Sequence, residues 1–403
     1  MKGLLPLKGV KVLEMGSAIS GPMCGMILGE MGAEVIKVEN TEKGDDARFM
    51  GKIINGESIY FSYYNKNKKS IAIDLKTKEG REIIKKIIRK VDVLIQNFSP
   101  GVMNKLGLSL RTVKKLNPKL VYCSISGFGD VGKYSNFRGY DLVIQAMSGL
   151  MWMNRRPGDE PLRLPIPITD ILAAWTAASA VCAALYFVRK RRCFVKIDVS
   201  LLHAGVAAMG QWLVQILNTG QDLEPFGNRY PALAPYEPFK TKDSWVVVAV
   251  GNDEQWRKLC TAISRLDLMN DSRFASNQGR TASENREKLH EELVKTFSNY
   301  TCNELVELLQ RVGVPAGPVR SLSEITSDEY FTSESIFRKI YHPRLGEIYT
   351  IQTTPNFNNR KADIRASPTH GQHTEQILRS LGLTQKRVED YVKRRIVKTN
   401  NSI

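Results

Sequence analysis

The feature that most constrains this chain is the rhythm of its first third. Short apolar runs recur there, separated by stretches with helical spacing or by polar turns. Val10–Met15, Val35–Glu39, Ser70–Leu75, Asp92–Gln96 and Leu120–Ile125 read as strands. Gly21-Pro22 opens a helix reaching about Met31, with proline in the first turn, where its missing N–H costs nothing. Lys78–Lys90 and Arg111–Leu116 have the spacing of further helices. Strand, helix and strand in repetition predict a parallel, doubly wound α/β sheet.

Beyond that third the pattern changes. Asp141–Met151 reads as helix, and Arg155–Ile168, with four prolines, as a loop. Thr169–Arg189 is one long apolar helix, Val195–Ser200 a strand, and Leu201–Leu217 helix again. The Gly-, Pro- and Asn-rich stretch Gly220–Pro238 reads as a linker or active-site loop, followed by a strand at Trp245–Val250. Helices are expected at about Asp253–Ser264, Ser283–Phe297 and Cys302–Val312. Strands with turns at Ile336–Thr354 and a last helix at Thr374–Leu381 complete the reading. At 403 residues, two domains are the default.

The chain carries 58 Lys and Arg against 41 Asp and Glu, a formal charge of +17. Such a field attracts phosphorylated cofactors, nucleic acid or anionic membrane. The basic residues are spread rather than gathered into a stripe, and no nucleic-acid module is present, so no nucleic-acid partner is expected. The six cysteines form no CxxC pair, which fits free thiols in a reducing cytoplasm. The N-terminal stretch lacks a signal-peptide pattern. Ile171–Val188 approaches the length of a membrane span but reads as a buried helix, so no membrane association is expected. The five histidines are scattered, with only His370 and His373 close together, and no metal is expected.

Three features bear on chemistry. Gly16, Gly21 and Gly25 follow the first strand but do not fit GxGxxG, so they serve either a nucleotide-binding turn or close packing. Glu39 closes the second strand, where dinucleotide enzymes hold a ribose. Asp170 follows the proline-rich loop and opens the long helix. It has the makings of an N-cap, and a helix start also keeps a carboxylate ionised and available as a nucleophile. No GxSxG elbow points to a serine hydrolase.

The sequence resembles the family III CoA-transferases, the group of formyl-CoA and carnitine CoA-transferases. The resemblance is carried by PLKGVKVLEMGSAISGPMCGMILGEMGAEVIKVEN, NKNKKSIAIDLKTKEG, DVLIQNFSPGVMNKLGL, GYDLVIQAMSGLM, PIPITDILAAW, PYEPFKTKD, VGNDEQW, GVPAGPV and GQHTEQIL, nine motifs in the family's order. Within the family it is most similar to the succinate–hydroxymethylglutarate type of dicarboxylate CoA-transferase.

The resemblance implies a CoA-transferase that moves CoA from an acyl-CoA donor to a carboxylic, here dicarboxylic, acid. Asp170 falls on the family's catalytic aspartate, which passes through a mixed anhydride and an aspartyl-CoA thioester. It implies that Ile19 and Ser20 line the CoA groove, that Ile73, Asp74, Leu75 and Lys76 hold adenine or phosphates, and that Asn97, Phe98, Ser99 and Lys105 continue the groove. Arg138, Gly139, Tyr140 and Asp141 would frame CoA at the reacting centre. Asn40 stands where formyl-CoA transferases use arginine, and Lys105 and Arg138 exchange lysine and arginine relative to them. Gly227-Asn228-Arg229-Tyr230 replaces their glycine-rich loop. Arg163 and Arg229 are the candidate cations for a substrate carboxylate.

Two alternatives accompany this reading. α-Methylacyl-CoA racemases share the fold but use a histidine where Tyr140 stands, and a phenol is a poor acid–base group at neutral pH. A non-catalytic CoA- or nucleotide-binding protein would not need Asp170. The resemblance further implies a Rossmann-like large domain of residues 1–205 with 330–403, a smaller α/β domain of residues 225–325, linkers at 206–224 and 326–329, and an interlocked homodimer.

Overall fold

In the computed structural model, which describes residues 5–359 and 361–400, seven strands form one sheet. The first four residues of the N-terminal stretch read above lie outside the described residues. Strands β1 (Lys11–Met15), β2 (Glu34–Glu39), β3 (Lys68–Ile73), β4 (Val93–Gln96), β5 (Val121–Ser126) and β6 (Val195–Ser200) run parallel. The two-residue β7 (Val397–Lys398) pairs antiparallel with β3 at one edge. The spatial order is β7-β3-β2-β1-β4-β5-β6. The chain winds outward from β1 through β2 and β3, then returns to lay β4, β5 and β6 on the other side. That reversal opens a crevice at the carboxyl ends of β1 and β4, where open α/β sheets take their ligands.

Both faces of the sheet are covered, so neighbouring residues on a strand are buried in opposite directions. Val12, Val93, Val121 and Ile125 pack on one face under α1 (Ser20–Glu30). Leu13, Ile71, Ile73 and Leu94 pack on the other under α2 (Lys78–Ile88), which contributes Ile83, Ile84, Ile87 and Ile88. Each such side chain, fully withdrawn from water, contributes about 1.5–3 kcal/mol. Helix α2 begins at a Thr77 cap that accepts from the Gly80 N–H, carries Glu79 in its first turn and ends in Lys85 and Lys86, in the sense the helix dipole favours.

Further along the chain come α3 (Asp141–Met147) and α4 (Ile168–Arg191). Helix α4 packs against α1, β5 and β6 through small residues, with Ala173, Ala174, Ala177 and Ala178 all buried. It is long and apolar enough to cross a membrane. The glycines after β1 also serve close packing. A Cβ on Gly16 would stand 3.0 Å from Asn97 Oδ1, one on Gly21 3.1 Å from Asn97 Cγ, and one on Gly25 3.1 Å from Glu14 Oε2.

The chain divides into two compact units, Met1–Met151 with Arg163–Thr219 and Glu329–Ile403, and Trp152–Leu162 with Gly220–Asp328. The helical stretch after β6 breaks at Met209 into Leu201–Ala208 and Gly210–Thr219, and both parts belong with the sheet. The smaller unit has a three-stranded antiparallel sheet with Trp245–Ala249 between Tyr236–Lys240 and Ala316–Pro318. Tyr236–Lys240 lies partly in the stretch whose composition reads as loop. Its Pro238 is accommodated because the strand is at an edge, paired among the described residues with Trp245–Ala249 alone. Trp256, Leu259, Leu293 and Phe297 fill this unit's core.

Candidate active site

The loop from β1 into α1 forms one wall of the crevice. Ala18 has φ +63°, a left-handed conformation that costs a non-glycine residue about 1–2 kcal/mol. Two side chains hold it there. Asn97, just after β4, accepts the Ser17 N–H at 2.9 Å and donates to the Ser17 carbonyl at 2.9 Å. Asp45 Oδ1 accepts the Ser17 hydroxyl at 2.8 Å and the Ala18 N–H at 3.1 Å. Helix α1 then starts without a side-chain cap, because its N-cap is Ile19. Pro22 has no N–H to offer, and the first N–H to close a helical bond is that of Met23, to the Ile19 carbonyl at 2.7 Å. The N–H groups of Ser20 and Gly21 therefore face outward from the helix start.

Asp170 stands opposite. Helix α4 starts at Ile168 with Pro167 as its N-cap, so Asp170 occupies the third helical position rather than capping the helix. The carboxylate that does anchor this helix start is Asp141 on α3. Its Oδ1 accepts the Thr169 N–H at 2.8 Å and the Thr169 hydroxyl at 2.7 Å, and its Oδ2 accepts Gln145 Nε2 at 2.6 Å. The buried Gln145 accepts the Leu164 N–H at 2.9 Å, tying the proline loop to the same pair. Burial pushes the Asp170 carboxyl up from its ordinary 3.8 to about 6. The Ser20 hydroxyl and N–H oppose that rise, and the Asp141 charge reinforces it. Tyr60 lies near enough for Asp170 to help hold its phenol, already raised by burial, well above its usual range.

A cavity of about 670 Å³ joins these walls. Of the residues singled out from sequence, Ile19, Ser20, Asn97, Phe98, Ser99, Arg138, Gly139, Tyr140, Asp141, Arg163 and Asp170 all line it. Arg138 and Arg163 are exposed there and form no ion pair among the described residues. Tyr140 is 83 % exposed. The other expected CoA contacts lie outside this cavity. Asn40 follows β2 and folds its own loop, its Oδ1 accepting the N–H groups of Glu42, Lys43 and Gly44. Ile73 is buried at the end of β3, Asp74 turns onto the Lys76 N–H, and Arg81 holds the carbonyls of Leu75 and Lys76. Lys105 is exposed at the end of the short helix Val102–Lys105. Arg229 belongs to the smaller unit, where Glu237, at 2.8 Å, and Glu287 engage its guanidinium.

Sequence reading passed over several residues that shape the site. Tyr60 and Asp46 line the cavity, and Asp45 and Gln145 brace its walls. Asp45 is in turn held by Lys37 Nζ at 2.7 Å, and Lys37 also reaches Glu14 at 2.9 Å. All three side chains are buried. Lys37 between the apolar Ile36 and Val38 of β2 was the available signal, since a fully buried ammonium needs carboxylate partners.

Fold and site together define a doubly wound α/β protein with a carboxylate of raised pKa in its switch-point crevice, flanked by cations suited to anionic substrates. The model of CoA-transferase family III matches residues 7–374, and the chain belongs to that family of enzymes. It is 35 % identical to the succinate–glutarate CoA-transferase of Agrobacterium fabrum, over 93 % of this chain and 96 % of that protein. It is 34 % identical to the succinyl-CoA–D-citramalate CoA-transferase of Chloroflexus aurantiacus, over 94 % and 95 % respectively. A crystal structure of a CAIB/BAIF family protein from Brucella suis superposes with a TM-score of 0.83 at 32 % identity, covering 94 % of this chain and all of that one.

Proposed function

We propose that this enzyme transfers CoA between dicarboxylic acids and that Asp170 carries the acyl group. The observation that carries the reading is the placement of Asp170 in the crevice, facing the uncapped start of α1. A carboxylate oxygen of Asp170 attacks the thioester carbon of the donor; the C–S bond breaks and CoA leaves as thiolate. The product is a mixed anhydride. The thiolate then attacks the Asp170 carbonyl carbon, releasing the donor acid and leaving an aspartyl-CoA thioester. The acceptor carboxylate attacks that thioester, and the same steps run in reverse. Each attack places negative charge on a carbonyl oxygen, and N–H donors fixed before the reaction stabilise such charge at no cost of reorganisation.

The relatives named for succinate, glutarate and D-citramalate suggest the substrate class. A dicarboxylate leaves one carboxylate free while the other reacts, and Arg163 and Arg138 are the cations in the cavity able to take it. The enzyme is proposed to work as a homodimer. The outward face of α4 supports this, with Tyr186 64 % and Phe187 49 % exposed.

The test is transfer from succinyl-CoA to glutarate, read as glutaryl-CoA by chromatography. Arg163→Ala is expected to raise KM for glutarate about tenfold, the value of one contact of about 1.4 kcal/mol. An unaltered KM for glutarate removes Arg163 from substrate binding. Failure of the wild type to use any dicarboxylate acceptor overturns the substrate class.

A further inference from the structure

We propose that Asp45 is a positioning residue for the transfer reaction: it holds the Ser17–Ile19 loop in the strained form that aims the Ser20 hydroxyl and N–H at Asp170. The inference rests on the reading of Asp170 as acyl carrier, and no family motif carrying that reading includes Asp45.

The geometry is that of a clamp with a charged anchor. Asp45 Oδ1 accepts three donors, the Ser17 hydroxyl and the N–H groups of Ala18 and Ala47, the last at 2.9 Å. Its other oxygen meets Lys37 Nζ at 2.7 Å. Lys37 also donates to the Gly16 carbonyl at 2.9 Å, so one ammonium holds both the clamp and the residue that begins the loop. Glu14 completes the group, joining Lys37 at 2.9 Å and Lys68 at 2.7 Å. Burial alone would push the Asp45 carboxyl up, yet Lys37 and the N–H donors hold it well below the ordinary carboxylate range. These partners favour the Asp45 anion, and charge-assisted bonds of this kind are about twice as strong as neutral ones.

Asp45 is the side chain that takes the Ala18 N–H itself, while Asn97 holds Ser17 before it. Glycine would adopt that conformation freely; alanine does not, and here the Asp45 and Asn97 bonds offset the strain. The consequence reaches Asp170 through Ser20, whose hydroxyl and N–H favour its charged form. Releasing the loop withdraws those donors. Other ionisable groups surround Asp170 as well. Asp141 lies behind the α4 start, and Tyr60 and Tyr64 lie close by on the helix Ile59–Asn65. Asp46, Arg138, Tyr140 and Arg163 line the same cavity.

The experiment compares wild type, Asp45→Asn, Ser17→Ala and Asp170→Ala in steady-state transfer across pH, at a temperature where circular dichroism shows each folded. Asp45→Asn keeps the shape and one acceptor oxygen but loses the charge. It is expected to lower kcat about a hundredfold, as removal of an oxyanion donor does. The acid limb of its kcat profile should move to higher pH, because Asp170 loses the donors that favour its anion. Ser17→Ala removes a single clamp bond and should shift the same limb less; it decides the matter if Asp45→Asn does not fold. Loss of thermal stability with kcat and the acid limb unchanged overturns the proposal and makes Asp45 merely structural. An active Asp170→Ala would instead overturn the acyl-carrier reading on which it rests.

Discussion

Asp170 has to be a nucleophile and yet sit in surroundings that disfavour its charge. Burial and the neighbouring Asp141 raise it to about 6, and Ser20 keeps it from rising further. The anion is the attacking form, so kcat should fall as pH drops through about 6. The stability effect has the opposite sense. A carboxyl whose folded pKa lies above its unfolded value binds its proton more tightly when folded, so stability is lost as pH rises from about 3.8 to about 6. A shift of about two units corresponds to about 3 kcal/mol at most. Asp170→Asn, which cannot ionise, should therefore unfold at higher temperature than wild type at pH 7, by an amount of order 1–3 kcal/mol, and show little advantage at pH 4. A thermal midpoint below that of the wild type at pH 7 would show that the Asp170 anion is stabilised, not strained, by its site.

At the scale of the element, α4 does two jobs. Its first turn presents Asp170, and its alanines let it lie close on α1, so that the two helix starts face each other across the crevice. Its far end exposes Tyr186 and Phe187. A helix this apolar whose outer aromatics are uncovered within its own chain is expected to meet a second copy. Sedimentation should give twice the 45.4 kDa of one chain, and Tyr186→Arg should weaken that association. A monomer at micromolar concentration would contradict it. The start of α4 also shows what a sequence conceals. Asp170 after a proline-rich loop looks like an N-cap, because Asp is favoured there. Pro167 takes that position instead, and the anchoring carboxylate comes from Asp141, twenty-eight residues before the Thr169 that it binds.

For the molecule as a whole, the strands of the first third were legible because each is a short apolar run bounded by turns, and a parallel sheet followed from their alternation with helices. The strand order, and with it the crevice, depends on long-range pairing that no local pattern states. The two-residue β7 was too short to leave a pattern at all. In the site, residues carried by motifs, such as Asn97, Tyr140 and Asp170, line one cavity. The buried Glu14–Lys37–Asp45 group was signalled by Lys37 alone, flanked by Ile36 and Val38 in β2; its two carboxylates look like ordinary surface charges until folding brings three segments together. Arg229 looked available for substrate, but Glu237 and Glu287 already engage it.

The central claim is that Asp170 itself carries the acyl group and then CoA. Intact mass after incubation with succinyl-CoA, with and without hydroxylamine, tests it most directly. The wild type is predicted to gain an adduct that hydroxylamine removes, and Asp170→Ala to gain none. An adduct of the same mass on Asp170→Ala, or transfer by that variant at the wild-type rate, would place the chemistry on another group.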